Sequence, residues 1–231
     1  MTGLSALRRL SAPPTPDAAT QTASAPEERC EFCATDLGDR HGHVADVLDH
    51  RLLCVCRPCY LLFAPEGSGG GRYRGVGERV RRVEGLALTG RQWDALRIPV
   101  DLAFFFRQTL SDGSSGDEPR GLAGDHHLVA FYPGPGGATE SLLDLEAWSE
   151  LATSNPVLNA LEPDIEAVLL RSDDDGFVCF LVPIDVCYEL VGVVRTWWTG
   201  LGGGAEVWRH ISEFFADLES RADSVPAGGQ P

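Results

Sequence analysis

At 231 residues with 43% hydrophobic side chains, the chain has room for one moderate domain, or for a small module plus a domain of ordinary size. Its 19 basic residues are all arginine and face 34 acidic ones, giving a net charge of −15 that is concentrated after residue 97. That surface disfavours nucleic acid and anionic membrane and favours a protein partner, and no apolar run approaches the ~20 residues of a spanning helix.

The N-terminus shows no apolar h-region, so the expectation is a cytoplasmic protein without membrane insertion. Residues 1–28 are rich in Pro, Ala, Thr and Ser and read as a disordered leader, with one turn of helix over residues 4–10.

Residues 29–66 read as a metal-binding module. Five cysteines fall within thirty residues, as Cys30-x-x-Cys33 and Cys54-x-Cys56-x-x-Cys59. A C-x-x-C turn converges two sulfurs on one ion, and a second such turn completes four-coordination. The two matched hooks make Cys30, Cys33, Cys56 and Cys59 the expected ligands. Cys54 is the spare, with His41, His43 and His50 as further substitutes. Residues 43–50 and 51–56 read as two short strands, the content of a zinc ribbon or rubredoxin-like knuckle pair.

Zn²⁺ is the expected metal and iron the alternative, because four thiolates hold either. Rubredoxin-type hooks carry a glycine after the second cysteine, and here Ala34 and Tyr60 stand at those positions.

Residues 67–97 read as a Gly-rich and Arg-rich linker, opening on Gly67-Ser-Gly-Gly-Gly-Arg72 and containing a short helix after the capping box Thr89-Gly-Arg-Gln92. Seven arginines lie between Arg72 and Arg97. They read as a solvated face pairing with the chain's own acids, or, in a regulator that binds nucleic acid, as a phosphate-binding patch.

Residues 98–221 read as an α+β domain, an antiparallel sheet of about four strands with packed helices. Strand-like runs cover residues 100–109, 128–132, 165–170 and 177–182, the last two forming a hairpin around Asp173-Asp-Asp-Gly176. Asp144 caps a helix carrying Leu145, Trp148 and Leu151, and Asn155-Pro156 starts another short one. Two amphipathic helices follow, with stripes Ile184, Cys187, Val191, Val194, Trp198 and Val207, Ile211, Phe214, Leu218. Residues 222–231 read as a disordered tail.

Outside the cysteine module the signals for chemistry are weak. Asp125-His126-His127 reads as a surface loop end and Gly134-Pro-Gly-Gly137 as a turn, since the latter lacks the Lys-Ser/Thr ending of a phosphate loop. Cys179 and Cys187 read as inert core thiols. No nucleophile elbow or His-Glu-x-x-His helix occurs, so no catalytic residue is assigned and a non-enzymatic role is expected. Adjacent Trp197 and Trp198 cannot both face one core from a helix, which makes them the candidate partner-binding residues.

Several phrases taken together, Cys30-Glu-Phe-Cys33, Leu53-Cys-Val-Cys-Arg-Pro-Cys-Tyr-Leu-Leu-Phe63, Ile98-Pro-Val-Asp-Leu-Ala-Phe-Phe-Phe106, and Pro183-Ile-Asp-Val-Cys-Tyr-Glu-Leu-Val-Gly192 through Glu206-Val-Trp208, resemble an uncharacterised actinobacterial family encoded alongside nickel–iron uptake hydrogenases. The resemblance covers about residues 29–221. It implies an accessory protein for hydrogenase assembly, maturation or electron transfer, with a hydrogenase subunit or a maturation factor as partner.

Overall fold

The computed structural model describes residues 28–38, 40–110, 126–173, 176–200 and 202–228. The expected leader up to residue 27, the loop at 111–116, Asp125 and the hairpin-turn residues 174–175 lie outside the described residues.

The cysteine module is built on a three-stranded antiparallel sheet in the order β2-β1-β3, with β1 (Gly42–Asp46), β2 (Arg51–Val55) and β3 (Tyr73–Gly75). Residues 47–50, expected to extend the first strand, form the turn between β1 and β2. The second cysteine hook opens helix α1 (Arg57–Phe63), which begins here because Pro58 in its first turn pre-sets a helical φ and lacks the N–H that would go unpaired.

Gly67, Gly69, Gly70 and Gly71 take positive φ in a tight turn that brings the chain back onto β1 as β3, so this stretch is part of the module rather than a linker. At Gly75 a Cβ would lie 2.4 Å from the Ala64 Cβ, so only glycine lets β3 approach the end of α1. Arg72 closes the sheet by donating from Nε and Nη2 to the carboxylate of the buried Asp46, which also accepts the Leu48 and Asp49 N–H groups.

The main sheet has seven strands in the order β10-β4-β9-β8-β5-β6-β7: β4 (Arg81–Glu84), β5 (Leu102–Thr109), β6 (His126–Gly134), β7 (Gly137–Ser141), β8 (Glu166–Asp173), β9 (Gly176–Pro183) and β10 (Asp223–Pro226). All neighbours are antiparallel except β10 and β4. The central strands are near-continuous apolar runs because both faces are covered. Register aligns Phe104, Leu169 and Phe180 across three strands, and Phe105, Val168 and Leu181 in the adjacent row.

The first row packs against α4 (Ile184–Trp197) and α5 (Gly204–Arg221) through Leu190, Val194, Ile211 and Leu218. The second faces α2 (Gly90–Ala95) and α3 (Leu145–Ser154) through Trp93, Trp148 and Leu151, and through Val157 and Leu158 on a 3₁₀ turn. The fold is thus α+β, with helices on both faces of a largely antiparallel sheet.

Local signals place the helices. Thr89 Oγ1 accepts from the Gln92 N–H while Gln92 Oε1 accepts from the Thr89 N–H, and Asp144 accepts from the Glu146 and Ala147 N–H groups. Beyond α3, the buried Asn155 ties the 3₁₀ turn to the Ala87 backbone through both its amide atoms.

Further expectations need correction, beginning with the sheet of about four strands, which has seven among the described residues because β7 and two segments outside residues 98–221 join it. The stretch read as a linker supplies β4 to the main sheet as well as β3 to the small one. The expected tail contains β10, held by hydrogen bonding to β4 and by burial of Ala227. On α5 the buried phenylalanine is Phe215, with Phe214 only partly covered, because the helix turns its stripe by one residue to place a ring against Phe180.

Candidate metal centre

Residues 30–33 form a turn closed by the Ala34 N–H to the Cys30 carbonyl at 2.8 Å. Ala34 takes φ 59°, the left-handed conformation that a glycine after the hook would favour, so alanine fills that role here. The other two sulfurs come from a helix start: Cys56 is the N-cap of α1 and Cys59 lies in its first turn. One turn and one helix start, rather than two matched knuckles, therefore bring the hooks together.

The four ligand atoms of Cys30, Cys33, Cys56 and Cys59 lie within 4.8 Å of one another. Cys33 Sγ and Cys56 Sγ are 3.6 Å apart. A tetrahedral ion with metal–sulfur bonds of ~2.3 Å has sulfur–sulfur edges of about 3.8 Å, whereas a disulfide is about 2.05 Å. The spacing therefore fits a shared cation, and Cys30 and Cys59 are buried while Cys33 is exposed.

The electrostatics agree. Burial opposes ionisation of Cys30, but the N–H groups of Cys56, Cys33 and Phe32 outweigh it and draw its thiol down to about 6. Thr35 holds Cys33 below the usual thiol range. Cys59 is pushed up by burial and then by the neighbouring thiols. At Cys56 the Cys59 N–H favours the thiolate, yet burial and Cys33 push it up. Four sulfurs this close ionise together only when a cation balances their charge.

Around the site the apolar cover is thin: Val44, Leu53 and Val55 are the buried aliphatics, with Phe32 and Phe63 stacked at 4.1 Å. In so small a core a bound metal would supply a large share of the module's stability.

Cys54, the expected spare, is not in this group. It pairs across the hairpin with His43, and with His41 and His43 it makes a second cluster whose ligand atoms also lie within 4.8 Å of one another. The sequence carried the signal, a His-x-His step leading into one strand opposite a cysteine on the next, but without register the three residues read only as substitutes. His50 lies in the β1–β2 turn at φ 49° and belongs to neither cluster.

Other sequence candidates resolve plainly. His126 and His127 start β6 instead of ending a loop, and His126 Nδ1 lies 3.1 Å from Thr109 Oγ1. Pro135 and Gly136 form the turn between β6 and β7. Cys179 and Cys187 are buried in the sheet and α4, where burial pushes both thiols up.

Within the arginine patch, Arg72, Arg74, Arg81, Arg82 and Arg97 each pair with a carboxylate of this chain, among them Asp46, Glu162, Glu166, Glu219 and Asp144. Trp197 is 41% exposed and stacks on His210 at 3.9 Å between ring centroids. Trp198 is partly buried, packs against the main core, and donates from Nε1 to the Gly200 carbonyl.

Fold and site together define a two-part α+β protein in which a four-cysteine cluster suited to one metal ion sits on a small sheet beside a seven-stranded one. The chain belongs to the family of unknown function DUF5947, which matches residues 29–222. No curated protein and no solved structure matches it. Among the described residues no helix is long and apolar enough to cross a membrane.

Proposed function

We propose that the protein is a non-enzymatic accessory factor in which a structural zinc ion, held by Cys30, Cys33, Cys56 and Cys59, shapes the small module while the α+β domain binds a protein partner. The observation that carries this reading is the convergence of the four sulfurs on a thinly covered core. The exposed ring of Trp197 is the anchor for the partner, in keeping with the enrichment of tryptophan at binding hot spots. The resemblance noted above names a nickel–iron hydrogenase subunit or maturation factor as that partner.

Tagged protein captured from hydrogenase-expressing cells tests the reading, with metal analysis of the same sample. The expected result is one tetrathiolate zinc per chain and co-purification of a hydrogenase component, lost on Trp197→Ala. Absence of any such component under every growth condition removes the partner assignment.

A second reading is a rubredoxin-like iron carrier. It is favoured by the exposure of Cys33, which gives an electron a surface route, and by the backbone N–H groups directed at Cys30. A red sample that bleaches reversibly on reduction selects this reading; a colourless zinc sample discards it.

A further inference from the structure

We propose that His41, His43 and Cys54 form a second metal centre, separate from the four-cysteine site, that binds Zn²⁺ through two imidazoles and one thiolate. His41 directly precedes β1 and its ring lies 4.9 Å from that of His43 between centroids, and Cys54 stands directly across from His43 in the β1–β2 register. Their ligand atoms lie within 4.8 Å of one another. A tetrahedral zinc site needs nitrogen–nitrogen and nitrogen–sulfur edges of about 3.3 and 3.5 Å, so closure takes side-chain movements of about 1 Å.

The outer hydrogen bonds are those of metal-ligating histidines. His41 Nδ1 lies 3.1 Å from the Gly38 carbonyl and His43 Nδ1 lies 2.8 Å from Asp185 Oδ2. Each contact places the proton on Nδ1 and leaves the Nε2 lone pair free to coordinate a metal ion, with a backbone carbonyl supporting one ring and a carboxylate the other. Consistently, His41 Nε2 is buried and has no hydrogen-bond partner among the described residues, an unusual state for a buried nitrogen unless it serves as a ligand.

Glu28 Oε2 lies 3.9 Å from that nitrogen, and Glu28, Glu31 and Asp185 are near enough to act electrostatically on Cys54, so the surroundings attract a cation. The mixed donor set suits zinc and not the oxygen-seeking Mg²⁺ or Ca²⁺.

Three protein ligands leave a fourth position for water or a small anion, as in open zinc sites. His41, His43 and Asp185 line a cavity of about 370 Å³, together with Tyr60 and Cys56. Because Cys56 belongs to the four-cysteine cluster, both centres border the same cavity. Asp185 belongs to the first turn of α4, so the second centre would stand where the module meets the main domain.

Zinc-saturated full-length protein, freed of excess metal, tests this by metal counting and X-ray absorption. The expected result is two zinc ions per chain and a summed first shell of five sulfurs and three nitrogen or oxygen atoms. Cys54→Ser should lower the count to one and leave an all-sulfur shell. Asp185→Asn should weaken the second zinc roughly 10–100-fold in chelator competition, leaving the first unchanged.

One zinc per chain with only sulfur ligands in the wild type overturns the proposal, as does a Cys54→Ser protein that keeps two. The wild-type count decides the matter even if a variant fails to fold. Loss of the tetrathiolate zinc instead, with the mixed shell retained, counts against the function proposed above and not against this site.

Discussion

His43 on β1 and Asp185 at the start of α4 meet through a 2.8 Å contact between Nδ1 and Oδ2, although 142 positions separate them in the chain. With Arg74, which donates to the Pro163 carbonyl and to Glu162, this contact fastens the cysteine module to the α+β domain. Each side chain of the histidine–aspartate pair is 23% exposed, so water screens it little. Asp185→Ala should therefore cost about 1–2 kcal/mol. Denaturant unfolding measures the loss, and hydrogen exchange should show faster opening of β1 and α4 than of the β5–β8 pair. Unchanged exchange at β1 would show that the contact does not hold the module in place.

Metal removal should act locally. The module's own apolar cluster rests on Val44, Leu53 and Val55, and the two clusters of the main sheet come mostly from other elements, with only Ala45, Val76 and the partly buried Leu52 of the module joining the one under α4 and α5. A strong chelator, or Cys30→Ser, should abolish amide protection over residues 29–76 and leave protection of β5, β8 and β9 intact. Hydrogen exchange with mass spectrometry reads both regions in one experiment, and a global loss of protection would show that the two parts fold as one unit.

The Asp46–Arg72 pair predicts a pH dependence. Burial works against the Asp46 carboxylate, but the Arg72 guanidinium and the Asp49 and Leu48 N–H groups prevail and hold its pKa below the ordinary value. A group depressed in the folded state contributes its stability above its unfolded pKa, near 3.9, and loses it as pH falls through the folded value. Thermal melts should therefore show a loss of module stability below about pH 4. Asp46→Asn should lower stability at pH 7 and remove this part of the acid dependence; an acid transition identical to wild type would assign it to other carboxylates.

The second face of the sheet offers a test of packing. Phe105 is fully buried and stacks on Trp148 at 4.8 Å between ring centroids. Phe105→Ala should cost roughly 3–5 kcal/mol, the range for emptying a buried aromatic site. Phe105→Leu should recover most of it. Equilibrium unfolding in urea gives both values, and a cost below about 1 kcal/mol would mean that α3 collapses into the space.

The sequence showed most clearly the features that depend on near neighbours. Thr89 and Gln92 announced α2, Asp144 announced α3, and the apolar run through Phe104, Phe105 and Phe106 announced a strand. The two cysteine hooks that come together were legible because C-x-x-C spacing is itself local geometry.

What escaped depended on distant partners. Asp223–Pro226 has little strand character of its own and is ordered by lying beside β4, and β4 itself is short, with charged side chains at three of its four positions. The grouping of Cys54 with His41 and His43 needed the register of β1 on β2, which spacing along the chain does not supply. Phe214 and Phe215 are adjacent on α5, and only the position of the Phe180 ring decides which turns inward.

The placement of β4 also bears on how the chain is made. Both of its neighbours, β9 and β10, are translated after it, and Ser224, whose hydroxyl donates to Glu84, follows that residue by 140 positions. During synthesis β4 waits with two unpaired edges, and a ribosome that stalls at the end of α5 leaves one of them open. Such an edge invites pairing with another nascent chain. The short strand β10 covers that edge as synthesis ends, and a truncation at residue 221 should shift the product from the soluble toward the insoluble fraction.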